Sequence, residues 1–141
     1  HHFDIFSTIA SAAGIQSSYE DELDGVNLLP YIKNEKTNQP HQTLFWRSGN
    51  HQSVLHGKWK YIVSQQENLR WLFDSSVDPV EKNNIIDNHP TEVKLIEELL
   101  AQFNSKQKDP LFPSSYEVPI LIDKFDGQQY EEGDEYIYWS N

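Results

Sequence analysis

The chain has 141 residues, 37% hydrophobic and 13% aromatic, which suits one ordinary domain with a real core and is short for a large enzyme. Its net charge of −11 argues against a nucleic-acid partner, whose phosphates demand a basic face, and no apolar run approaches the roughly 20 residues of a membrane span. Cysteine is absent, so disulfides, thiol nucleophiles and cysteine metal sites are excluded.

The opening "HHFDIFSTIA" has neither the basic start nor the cleavage site of an export signal. Over "FDIFSTIASAAG", Phe6, Ile9, Ala10 and Ala13 fall on one helical stripe. Asp4 lies near the start of that helix, and Gly14 suits a left-handed C-terminal cap. A helix this short with one apolar face must dock on something larger. Next, "YEDELDGVNLLPYIKNEKTNQP" gives an acidic loop, a glycine turn, a short apolar patch and a polar linker ending at Pro40, where a boundary is placed.

After Pro40 the apolar period changes to two. The strands expected are "TLFWRS", "SVLHG", "WKYIV" and "LRWLFD". Trp59, Tyr61 and Val63 share one face of the third; Leu69, Trp71 and Phe73 are placed on the packed face of the fourth. The connectors are short and turn-forming, so the four strands form an antiparallel meander. A strong helix follows in "NHPTEVKLIEELLAQFNSK", with Val93, Ile96, Leu99, Leu100 and Phe103 on one stripe. Pro90 fits its first position, with Asn88 or His89 as cap, and the helix covers one sheet face. Residues 109–141 hold eight acids against Lys124 and two plausible strands, "VPILI" and "EYIYW". The fold expected is therefore α+β: a helix and linker (1–39), a meander with its long helix (40–108), and an acidic extended tail (109–141).

The stretch "WLFDSSVDPVEKNN" (71–84) invites a test for calcium. Asp74, Ser76 and Asp78 fill the first three ligand places of an EF-hand loop, but Pro79 stands where glycine is needed and Ile85 where glutamate is. "EDELDG" fails at Tyr31 in the twelfth place. Histidines 41, 51, 56 and 89 match no zinc spacing, and no nucleophile elbow, P-loop or dinucleotide fingerprint occurs. The acids of 71–84 read instead as turn formers: Asp74 and Asp78–Pro79 shape turns, and Glu81 and Asn83 bond backbone donors.

The order of the segments carries a resemblance. "FDIFSTIASAAGI" followed by "DGVNLLPYI" resembles the D-I-x-P-T…A-G…D-G-x-S-L-x-P passage of sulfatases. "TLFWRSGNHQSVLHGKWKYIV" resembles their Trp-containing strand, variable turn and G-x-W-K; "WLFDSSVDPVEKNNI" is similar to their L-Y-D-L-x-x-D-P-x-E-x-x-N-L. The match runs over residues 3–106, with Ser7 where the family has Pro and Leu55 where it often has Arg.

What the resemblance implies is the C-terminal portion of a sulfatase of the arylsulfatase kind. Such enzymes use a formylglycine made in C/S-x-P-x-R and a calcium ion. The residues two before each proline here are Leu28, Asn38, Val77, Asn88, Lys108, Leu111 and Glu117, none of them Ser or Cys. Nucleophile and calcium are thus expected upstream, in a missing N-terminal catalytic domain that is this chain's principal partner and its link to a sulfate ester substrate. By the same resemblance, turns of the C-terminal subdomain shape the substrate entrance. Its rim candidates are Trp46, Arg47, Asn50 and His51, with Trp46 stacking on a ring and Arg47 pairing with an anion. No residue of the chain itself is assigned to catalysis or metal binding. A periplasmic or secreted location, and a docking face that would also admit a homo-oligomer, are implied likewise. Two alternatives stay open: a stand-alone acidic binding module, and the equivalent piece of another alkaline-phosphatase-superfamily hydrolase.

Overall fold

A computed structural model describes residues 1–15, 23–65 and 68–109, and the backbone of 117–121 and 136–140. The chain divides into two compact units, His1–Gln42 and Thr43–Asn141. In the first, α1 spans Asp4–Ala12 and a single turn, α2, spans Leu29–Ile32 with Pro30 in its first turn. Gly14 follows α1 at φ 71°, the left-handed geometry that ends helices, and Ile15 N–H returns to the Ala10 carbonyl at 2.9 Å. Phe6 and Ile9 of the predicted stripe are 61% and 62% exposed, and Ile5 beside them 56%. Glu20 and Glu22 of the acidic loop lie outside the described residues.

The second unit holds the meander. Strands β1 (Thr43–Ser48), β2 (His51–His56), β3 (Trp59–Ser64) and β4 (Leu69–Asp74) pair antiparallel in chain order. Gly49 and Gly57 open the two-residue turns β1–β2 and β2–β3 at φ 55° and 58°, values that side chains with a Cβ resist. Helix α3 (Pro90–Lys106) follows a 3₁₀ turn at Ile86–Asn88, with His89 as its N-cap. Backbone strands β5 (Glu117–Leu121) and β6 (Tyr136–Ser140) pair antiparallel. Ile122 and Glu135 of the strands expected there lie outside the described residues. The α+β meander with helices is the architecture expected.

The core lies between α3 and one sheet face. Val54, Tyr61 and Leu72, aligned across β2, β3 and β4, meet Val93, Ile96 and Leu100 of α3. Phe45 stacks on Phe103 at 4.4 Å between ring centroids and 3° between planes. Two sequence expectations need correction. Leu72, not Trp71 and Phe73, faces the helix. It is the register partner of Tyr61, while Phe73 is buried on the other face beside Lys60. β4 is apolar on both parities, so alternation alone does not choose its inner face. Strand β2 also begins at His51 rather than Ser53, because the two-residue turn places His51 opposite Ser48.

Candidate functional site

The predicted rim residues cluster along the sequence at the β1–β2 turn but not on one face. Thr43, Phe45 and Arg47 share the α3 side of β1, whereas Trp46 and Ser48 share the opposite side with His51. Arg47 is exposed, and its Nη1 reaches the Lys108 carbonyl at 3.5 Å, a weak contact that leaves most of its donors available. Trp46 is half-buried, and the Lys60 ammonium sits 4.8 Å from its ring centroid. Lys60 in turn faces Glu81 at 3.9 Å. A ring ligand would therefore have to share Trp46 with a cation already there. The Asn50 carbonyl accepts the Gln65 amide at 2.9 Å, which couples this turn to the β3–β4 connection. Beside it, Asn104 of α3 donates to the buried Gln52 at 2.9 Å.

The stretch 71–84 is a clasp on the edge of the sheet. Asp74 accepts Lys58 Nζ at 2.6 Å and the Ser76 amide at 3.1 Å, and its carbonyl receives the Val77 and Asp78 amides. Lys58 also lies 4.5 Å from the Trp59 ring centroid, which ties the G-x-W-K turn to this loop. Asp78 accepts the amides of Lys82 and Asn83 at 3.2 and 2.8 Å. The residue that does the clasping is Asn84. Its Oδ1 accepts the Leu72 and Ile86 amides at 3.0 and 3.2 Å, and its Nδ2 donates to the Arg70 carbonyl at 3.2 Å. Ile85 N–H then bonds the Leu72 carbonyl at 2.9 Å.

This corrects the expectation for Glu81 and Asn83. Glu81 holds a left-handed φ of 56° and turns its side chain to Lys60, and Asn83 gives its own amide to Asp78. Replacing Asn84 by Ala is expected to cost about 1–2 kcal/mol, since the Leu72 amide loses its acceptor. Asn84→Asp keeps that acceptor but turns a carboxylate oxygen towards the Arg70 carbonyl that Nδ2 served, so it too should lower the urea midpoint. A midpoint unchanged by Asn84→Ala would refute the clasp.

The first unit has its own polar centre, which sequence reasoning missed. Asp4 is fully buried; its Oδ1 accepts the Val26 amide at 2.9 Å and lies 2.7 Å from His41 Nε2. The backbone nitrogen of His1 lies 2.7 Å from Oδ2. Thr8 takes the Leu28 amide at 3.0 Å, and Ser7 donates to the Gly25 carbonyl at 2.9 Å. The available signal was the spacing itself: an Asp opening a helix and a distant Asp-Gly are the two ends of one hydrogen-bonded pair of segments.

Burial pushes the Asp4 carboxyl up, but hydrogen bonds from the His1 nitrogen, Val26 and His41 outweigh it and hold the group below the usual carboxylate range. Hydrogen bonds from Lys58 and Ser76 lower Asp74, and those from the Asn83 and Lys82 amides lower Asp78. Each folded value lies below the unfolded value of about 3.9, so the unfolded chain binds more protons in acid. Stability from these groups is complete above that pH and is lost as pH falls through the folded values. The urea midpoint should therefore fall steadily below about pH 4. Asp74→Asn should be weaker at pH 7 and lose less in acid. An acid limb unchanged by Asp74→Asn and Asp78→Asn together would overturn this assignment.

Meander, covering helix and edge clasp, preceded by the Asp4 unit, make up the fold of the C-terminal portion of a sulfatase. The 2-O GAG sulfatase BT1596 matches at 25% identity and a TM-score of 0.54, over 72% of this chain and 23% of its own. Ps i-CgsB, solved with k-i-k-neocarrahexaose, matches at 20% identity and a TM-score of 0.62, over 78% of this chain and 25% of its own. A structure from Bacteroides thetaiotaomicron, BT33336S-sulf, described with the metabolism of multiple glycosaminoglycans, matches at 22% and 0.56, over 73% and 24%. The chain thus spans about a quarter of the length of these structures. No protein-family model matches the sequence, and no curated protein does.

Proposed function

We propose that these residues form the C-terminal part of a sulfuric ester hydrolase, where they brace the catalytic domain and shape the substrate entrance without supplying nucleophile or metal site. The observation that carries this reading is the α1 surface: Ile5, Phe6 and Ile9 are each more than half exposed on a helix of nine residues. Apolar side chains grouped in this way mark a surface built to be covered. A catalytic domain in the remaining three quarters of a sulfatase's length is the covering partner proposed. Formylglycine and calcium belong to that domain in this reading. Among the described residues no three His, Asp or Glu side chains are grouped as cation ligands, and Asp74 and Asp78 spend their oxygens on Lys58, Ser76, Lys82 and Asn83. No calcium step is assigned to them.

At the entrance, Arg47 is the anion-binding candidate, because it is exposed and its guanidinium is nearly uncommitted. Asn50 follows it in the turn, and Trp46 and His51 border the opposite face. Two measurements test the reading. The 141-residue chain, given an aryl sulfate and calcium, should show no turnover above background; turnover would overturn the division of labour. In the full-length enzyme, Arg47→Ala should raise KM for a sulfated oligosaccharide about tenfold while leaving a small aryl sulfate nearly unaffected. Equal effects on both substrates, or none on either, would remove Arg47 from the entrance.

A further inference from the structure

An open groove of about 520 Å³ runs between β4 and the first half of α3, on the edge of the sheet opposite β1. Its volume falls within the roughly 300–1,000 Å³ typical of small-molecule sites. Ile86 and Val93 contribute apolar surface, and Asn68, Arg70, Asp87, Lys94 and Glu97 supply polar groups. One carboxylate is fixed in place: Glu97 Oε1 accepts Tyr61 Oη at 2.8 Å and Arg70 Nη1 at 2.9 Å. Tyr61 is buried at the other end of that bond, and its hydroxyl stays protonated because burial and the Glu97 charge both push its pKa upward. Arg70 also interacts with the Tyr61 hydroxyl, while Oε2 of Glu97 and the charged groups of Lys94 and Asp87 make no further bonds among the described residues. The groove therefore presents two cations and two carboxylate acceptors around apolar surface, in a chain whose net charge is −11.

We propose that this groove is a non-catalytic binding subsite for a sulfated saccharide unit. Arg70 and Lys94 receive the sulfate. Arg70 approaches through its planar guanidinium and Lys94 as a point charge. Asp87, Asn68 and the unused Glu97 oxygen accept or donate to hydroxyls, and the C–H face of the sugar lies against Ile86 and Val93. A neutral sugar would leave Lys94 unanswered, and a bare anion would leave the acceptors and the apolar surface unused. The choice of ligand class rests on the sulfatase reading; the groove does not. Such a subsite would hold a polymeric substrate on the accessory unit while another part of the same chain reacts, raising its local concentration.

The test is titration of the 141-residue chain with a sulfated hexasaccharide, its desulfated counterpart and inorganic sulfate, followed by amide chemical shifts. The sulfated hexasaccharide should perturb residues 68–70, 86–87 and 94–97, and should bind at least about tenfold more tightly than either control. Lys94→Glu, an exposed change that breaks no bond in the fold, should weaken it by at least about tenfold. Arg70→Ala should do the same, with circular dichroism verifying that the fold persists. Lys82→Glu, outside the groove, should change nothing. Binding that survives Lys94→Glu, or shifts confined to the β1–β2 turn, would overturn the proposal. So would equal affinity for inorganic sulfate, which would reduce the site to anion attraction. If the full-length protein fails to hydrolyse sulfate esters yet the groove binds, the sulfatase reading falls alone. If it hydrolyses them and the groove does not bind, this inference falls alone.

Discussion

Replacing Ile96 by Ala is expected to remove about 3–4 kcal/mol from the stability of the meander unit. Ile96 is fully buried at the centre of the α3 stripe, within the cluster of Val54, Tyr61, Leu72, Val93 and Leu100. Truncation deletes three carbons and leaves a cavity walled by both layers, which a strand and a helix fixed by their own hydrogen bonds cannot close. Domains of this size have only about 5–15 kcal/mol in total, so the loss should shift the urea midpoint far more than any surface change. Leu95, the next residue, is 47% exposed, and Leu95→Ala should stay within about 0.5 kcal/mol of wild type. An Ile96→Ala midpoint within the spread of such surface variants would mean that α3 does not seal the core.

Gly25→Ala is the counterpart in the first unit. A Cβ at Gly25 would lie 2.2 Å from the Phe3 carbonyl oxygen, 2.8 Å from its carbon and 3.2 Å from the Asp4 Cα. All three are backbone atoms, so no rotamer relieves the clash, and segment 23–28 must move off α1. That movement breaks Val26 to Asp4, Ser7 to Gly25 and Leu28 to Thr8, and strips a fully buried carboxylate of part of its cage. A cost of about 3 kcal/mol follows from overpacking and the lost bonds together. Amide exchange at Val26 and Leu28 should quicken on the order of a hundredfold, while Leu72 and Ile96 keep their protection. Unchanged exchange at Val26 would show that the close approach at Gly25 is not what holds this unit.

Much of the fold was legible because its signals are local. Three of the four strands stand within a residue of where alternation places them, and Pro90 marks the start of α3. The inner face of β4 was not legible, since Leu72 and Phe73 are both buried, one on each side, and only pairing with Tyr61 decides between them. The candidate site was legible as a stretch of chain rather than as a surface. Trp46 and Arg47 are adjacent in sequence and therefore point to opposite faces, and nothing in the pattern announces that Lys60 covers the Trp46 ring. Asp4, Gly25, His41 and Asn84 were missed in their roles because each acts across a sequence gap of at least 12 residues. Family motifs preserve their spacing while hiding which atoms meet.

The Asn84 clasp has a consequence for association. A sheet edge normally offers a row of amides and carbonyls to any passing strand. On β4 those groups at Leu72 and the Arg70 carbonyl are already taken by Asn84 and Ile85. A second copy of the chain cannot extend the meander through the middle of that strand without first displacing the loop. The meander is thus guarded on one side against the runaway strand addition that leads to fibrils, and Asn84→Ala should open that route.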